Sequence, residues 1–276
     1  MEGNCTFLTI YIYFITFFLG TVFGSFINCM SWRIVNGENV LKGRSHCTAC
    51  NHVLGVRDLF PVLSYLFLKG KCRYCGTKIS PRYMLVELIS GIGFLLSLLK
   101  YGITWKFIFM LPLVCILIGL SLVDLDSYEI PNGFIISGII NWGISLPFIS
   151  GFVGPKFMGN NGKLASVAYL KGVLKDGLLS GFIVAISLLF LSWIFDKVTG
   201  KESLGGGDIK LFFMIGLYMT VVESFLCLIM ACLIGIFIAA ALKKEKIPFG
   251  PSISLAAFVT LLIGSGVAEW YVGLLS

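Results

Sequence analysis

Charge is what this sequence has least of. Asp, Glu, Lys and Arg make up 13% of its 276 residues, about half the share of an ordinary soluble domain. With 57% hydrophobic residues and a mean hydropathy of +0.94, no aqueous core could hide that much apolar surface. A water-soluble enzyme, a disordered chain and a fibrous repeat are therefore excluded, and the chain reads as an all-α polytopic membrane protein. Internal repeats, low-complexity tracts and coiled-coil heptads are also missing. The net charge of +7 has no aromatic-interleaved basic motif behind it, so no nucleic-acid partner is expected.

A spanning helix needs roughly 20 apolar residues. Clear runs lie at 7–30, 84–99, 105–123, 133–152, 177–195 and 252–275, and a further run at 208–242 is too long for one crossing. Breaking it near Thr220 and Glu223 yields two short spans and about eight in all. The first run exceeds the roughly 7–15 residues of a signal-peptide core and is expected to stay as an anchor. Segments 31–83, 196–210 and 243–251 hold 15 Lys and Arg, against six in the loops between them. This bias marks the first set as cytoplasmic. It divides the chain into a first helix (1–30), a cytoplasmic insert (31–83) and a seven-helix core (84–276).

The insert carries Cys47-Thr-Ala-Cys50 and Cys72-Arg-Tyr-Cys75. Two such knuckles are close to the pattern that presents four thiolates to one tetrahedral zinc ion. Disulfides are disfavoured in a reducing cytoplasm, although inert buried thiols remain the other reading. A module of about 50 residues is too small to be stabilised by its core alone, so bound zinc would contribute much of its folding energy. His46 and His52 flank the first knuckle and are read as solvated neighbours. Cys5, Cys29, Cys115, Cys227 and Cys232 lack knuckle spacing and read as packing residues.

Carboxylates at a membrane edge are costly and so mark functional candidates. Two groups qualify: Asp124-Leu-Asp126-Ser-Tyr-Glu129-Ile-Pro131-Asn132 and Gly205-Gly206-Gly207-Asp208. Both are expected on the same face. Two close carboxylates separate each other's proton affinities, which suits hydrolysis in which one takes a proton from water and the other polarises a carbonyl. The glycines would let a substrate backbone approach Asp208. The structural alternatives are an N-cap after a flexible linker for Asp208 and an acidic surface turn ended by Pro131 for the first group.

With these motifs in place, the chain resembles the type IV prepilin peptidase family, GxGD-type aspartic peptidases that also act as N-methyltransferases. The likeness runs from Gly24-Ser25-Phe26-Ile27-Asn28 through the four cysteines. It continues in Asp58-Leu-Phe-Pro61-Val-Leu-Ser64-Tyr65 and Ile79-Ser80-Pro81-Arg82-Tyr83-Met84-Leu85-Val86-Glu87, and ends in the Asp-x(5)-Ile-Pro-Asn and Gly-x-Gly-Asp elements. The resemblance implies catalytic roles for Asp124 and Asp208, with Asp126 as the rival for the first. It also implies cleavage of the basic leader of a prepilin or pseudopilin at the cytoplasmic face of a prokaryotic inner membrane, in a pilus or secretion system. The acidic Asp124, Asp126, Glu129, Glu202 and Asp208 would suit such a leader. Methyl transfer from S-adenosylmethionine to the new N-terminus is the second implied activity. No separate Rossmann fingerprint accompanies it, because the Gly205–Gly207 run follows a membrane span rather than a soluble strand. Gly24 and Asn28 read either as substrate contacts or as close helix packing with one satisfied polar group. The reading from a different class is a transporter or channel with carboxylates coupled to a cation. That reading favours midplane charges in repeated broken helices, and no repeat is present.

Overall fold

The structure is a computed structural model that describes residues 2–40, 43–150, 163–200, 204–242 and 247–275. Its chain forms two compact units, Met1–Gly102 and Ile103–Ser276. Among the described residues there are nine helices, and pairing of extended chain is confined to two isolated bridges.

In the first unit α1 (Glu2–Val35) lies along α3 (Arg82–Tyr101), with the short α2 (Leu63–Phe67) between them in the chain. The two long helices run antiparallel and nearly touch. A Cβ on Gly20 would meet the Ser90 carbonyl oxygen at 2.7 Å, and one on Gly24 would meet Glu87 Cα at 2.8 Å. Asn28 donates from Nδ2 to the Tyr83 carbonyl at 3.1 Å. Gly24 and Asn28 thus do what the packing reading asked of them. In lipid, such small-residue contacts and interhelical hydrogen bonds take over from the hydrophobic effect. α3 therefore packs with α1, whereas a division at residues 30 and 83 groups it with the later helices.

The second unit contains α4 (Trp105–Ser127), α5 (Asn132–Ile149), α6 (Lys163–Thr199), α7 (Gly206–Gly216), α8 (Val221–Leu242) and α9 (Gly250–Leu275). Its centre is made of fully buried Leu120, Leu211, Met214 and Ile253. The break expected near Thr220 is a reciprocal cap. Glu223 Oε2 accepts from the Thr220 N–H at 2.8 Å, while the Thr220 hydroxyl accepts from the Glu223 N–H at 3.4 Å.

Among the described residues, seven helices are long and apolar enough to cross a membrane. The eighth expected crossing, α7, has 11 residues and so reaches about 16 Å, roughly half the hydrocarbon thickness. The loop expected over 153–176 is shorter than anticipated, because α6 already begins at Lys163. The added turns bring Leu170 and Val173 onto a cluster of Trp142, Leu146 and Leu217. That contact offsets the cost of carrying Lys171, Lys175 and Asp176 on a helix. Lys156, Lys201, Glu202 and the lysines of 243–246 lie outside the described residues.

Candidate active site

The last turn of α4 carries the first acidic group. Asp124 is 4% exposed, and its Oδ2 accepts a 2.8 Å hydrogen bond from the Gly250 N–H at the start of α9. No side chain fits at residue 250, since a Cβ there would lie 2.6 Å from Asp124 Oδ2. α4 then ends in a left-handed Tyr128 at φ 57, whose N–H bonds back to the Asp124 carbonyl. Pro131, extended at ψ 130, starts α5 at Asn132.

Asp208 occupies the first turn of α7, following an extended Gly205. It lies within Coulombic reach of Asp124, and both line one cavity of about 690 Å³. That volume is in the range of small-ligand and peptide pockets. Gly207 sits against Ile130 of the Ile-Pro-Asn element, where a Cβ would come to 3.1 Å, while Gly206 faces open space. The two sequence groups therefore meet through a glycine, and their carboxylates share one cavity. Asp126 is exposed and does not line the cavity, whereas Glu129 does.

Three helices, α5, α7 and α9, begin at this cavity. Each N-terminus presents the equivalent of about half a positive charge, so backbone dipoles surround the two carboxylates. Lys210 also lines the cavity, its Nζ donating to Asn132 Oδ1 at 3.2 Å. Residues 247–250 are the part of the site that sequence reading missed. The signal available was Pro248-Phe-Gly250-Pro251, a cluster of helix breakers directly before the last apolar run.

The first unit holds a separate centre. The sulfur atoms of Cys47, Cys50, Cys72 and Cys75 all lie within 4.8 Å of one another. A tetrahedral zinc with bonds of about 2.3 Å needs sulfurs roughly 3.8 Å apart, and the Cys47–Cys75 separation is 3.9 Å. The four residues therefore fit the ion. The two knuckles share one geometry. Asn51 and Gly76, both left-handed, donate their N–H to the carbonyls of Cys47 and Cys72, and Cys47 and Cys72 donate to His52 and Thr77. The Thr77 hydroxyl beside Cys75 pulls its thiol down to about 6, while at Cys50 a backbone hydrogen bond from His52 is outweighed by burial and the neighbouring Cys75 and Cys47, which push it up to about 11, so charge is shared unequally among the four sulfurs.

Asp58 joins the knuckles. It accepts from the Gly55 N–H (3.1 Å), Arg73 Nε (2.6 Å) and the Tyr74 hydroxyl (3.0 Å). Burial opposes its charge, but these donors prevail and hold the carboxyl below its usual range. His52 stacks on Tyr74 with ring centroids 3.6 Å apart, and His46 meets Trp32 edge-on. Both imidazoles thus pack beside the knuckle; His52 is exposed, as expected of a solvated neighbour, and His46 is half-buried.

The sequence pattern of the bacterial peptidase A24 N-terminal domain matches residues 18–101, and that of the type IV leader peptidase family matches residues 111–240. A prepilin leader peptidase/N-methyltransferase of Bacillus subtilis (strain 168) is 30% identical over 94% of this chain and 97% of its own. One from Aeromonas hydrophila is 30% identical over 84% of this chain and 76% of its own. A type 4 prepilin-like proteins leader peptide-processing enzyme of Escherichia coli O78:H11 is 30% identical over 88% and 91%. No solved structure matches.

Proposed function

The chain belongs to the type IV leader peptidase family, and from that premise we propose how its residues divide the work of a prepilin leader peptidase and N-methyltransferase. Hydrolysis is assigned to Asp124 and Asp208. The observation that carries this is their placement: a buried carboxylate braced by a backbone amide and a second carboxylate at a glycine-lined helix start, both on one cavity. One carboxylate takes a proton from water as the oxygen attacks the scissile carbonyl. The other donates to the developing oxyanion, and the pair returns a proton to the leaving amine. Because the two charges interact, the titration belongs to the pair. The N-terminal dipoles of α5, α7 and α9 favour the negative charge that develops at the carbonyl oxygen.

The substrate is a prepilin or pseudopilin, whose apolar helix stays in lipid while its leader reaches the cavity from water. Glu129 beside the two aspartates suits a basic leader. The Lys and Arg distribution supports a cytoplasmic-facing site in the inner membrane of a prokaryote. Cys47, Cys50, Cys72 and Cys75 would hold a structural Zn2+, which when bound ties the two knuckles together. S-adenosylmethionine would supply the methyl group. Among the described residues no strand, glycine-rich turn and helix combine into a nucleotide fold.

The deciding experiment uses the full chain reconstituted in lipid with a prepilin and S-adenosylmethionine, read by mass spectrometry of the mature N-terminus. Asp124→Asn and Asp208→Asn should each lower cutting on the order of a hundredfold or more with helicity unchanged. Full cutting by either variant removes that aspartate from the pair. An unmethylated product from the unaltered enzyme would argue against the second activity.

A further inference from the structure

The insert between α1 and α3 reads as a soluble module, yet one part of it does not lie where a soluble module would. Residues 59–68, Leu-Phe-Pro-Val-Leu-Ser-Tyr-Leu-Phe-Leu, form an apolar run between Asp58 and Lys69. Such a run is too short to cross a bilayer and of the length typical of re-entrant or interfacial segments. Half of its residues are exposed. Leu63, Leu66 and Phe67 are 45%, 55% and 81% exposed, and α2 contains no buried residue.

Its depth can be read against the two spanning helices that it touches. The Val62 N–H donates to Glu87 Oε2 at 2.7 Å, and Glu87 is about 8 Å along α3 from Arg82. The Phe60 ring packs at a tilt against Phe18 of α1, with centroids 5.4 Å apart. The neighbouring Phe17 faces Gly91, about 13 Å along α3 from its start. The chain then climbs back, for the Tyr65 hydroxyl donates to the Ile79 carbonyl just before α3. Arg33 in the last turn of α1 and Arg82 at the start of α3 mark the polar boundary that this loop passes beneath.

We propose that Leu59–Phe67 is a re-entrant segment seated in the lipid of the bilayer, with Leu63, Leu66 and Phe67 against acyl chains. Non-helical backbone survives at that depth only when its polar groups are satisfied. Here Pro61 has no N–H to satisfy, the Leu66 N–H bonds to the Val62 carbonyl, and the Val62 N–H bonds to Glu87. Glu87, buried in a spanning helix, thereby acquires a role. It holds Val62 at φ 61, a conformation that β-branched residues rarely take, and so fixes the turn at the bottom of the loop. Arg57, Lys69 and Lys71 flank the segment and match anionic headgroups at the surface.

Hydroxyl-radical footprinting of the unaltered full chain in phosphatidylethanolamine and phosphatidylglycerol vesicles tests this directly. Phe60 and Phe67 should be modified several-fold less than Tyr74, an exposed aromatic residue of the same module. Labelling of Phe67 as strong as that of Tyr74 would overturn the proposal. What covers Phe67 is identified by photocrosslinking from p-benzoylphenylalanine in its place. Phospholipid adducts are expected, as from the same group at Phe237 on α8. Adducts to a second copy of this chain or to another polypeptide would overturn it.

Discussion

Individual side chains at the acidic cavity are placed by backbone atoms more than by one another. Asp124 takes its orientation from the Gly250 N–H, and the space beside it is closed to any Cβ. Gly250→Ala should therefore displace the carboxylate and cut cleavage on the order of a hundredfold, the usual result of a shift of about 1 Å at a reacting group. Asp126→Asn, two residues on but off the cavity, should leave the rate within about twofold, as exposed substitutions away from a site usually do. A prepilin cleavage assay on both variants checks the pair, and the reverse ranking would reinstate Asp126. In the other unit, Asp58→Asn should destabilise the four-cysteine module by roughly 1 kcal/mol, given that its Arg73 partner is half exposed. The native Asp58 carboxyl is held below its unfolded value. Its contribution is thus complete above about pH 4 and lost only as pH falls through that value toward the lower native one. Urea titrations of the two proteins should show a constant gap from neutral pH down to about pH 5. A gap that changes across that interval would contradict the assignment.

At the level of helices, α7 depends on its neighbour for position. It is too short to be anchored by lipid along its whole length, and it lies backbone to backbone on α6. A Cβ on Gly181 would come to 2.9 Å from the Phe213 carbonyl oxygen, and one on Gly216 to 2.7 Å from Gly181 Cα. Gly181→Leu should force these helices apart at a cost of about 1–3 kcal/mol. Because α7 carries Asp208 in its first turn, cutting should fall together with the detergent melting temperature. Loss of melting temperature with full activity would show that α7 is held elsewhere. These glycines were not legible beforehand. A glycine inside an apolar run looks the same whether it faces open space, like Gly143, or a neighbouring backbone, like Gly181.

For the molecule as a whole, membrane character and helical class followed directly from the shortage of charge. The four-cysteine cluster followed from spacing, because knuckle geometry is local and the chain between the knuckles only has to bring them together. If the four cysteines hold zinc as proposed, a chelator, or Cys72→Ser with Cys75→Ser, should raise amide exchange across 43–58 and 70–80 and leave α1 and α3 protected. Unchanged exchange would show that the knuckles need no ion. Less was legible where long-range packing decides. Apolar residues continue through 208–242 whether or not each piece is long enough to cross, so α7 passed for a span. The extension of α6 back to Lys163 rests on contacts with Trp142 and Leu217 that no local pattern reveals. The brace on Asp124 comes from a glycine 126 positions later in the chain. That separation has a consequence during synthesis. Asp124 leaves the ribosome early and Asp208 follows, but the amide that orients the first carboxylate arrives only when α9 begins. A nascent chain therefore holds Asp124 without its amide partner through much of its insertion, and the carboxylate gains its fixed orientation only once α9 is in place.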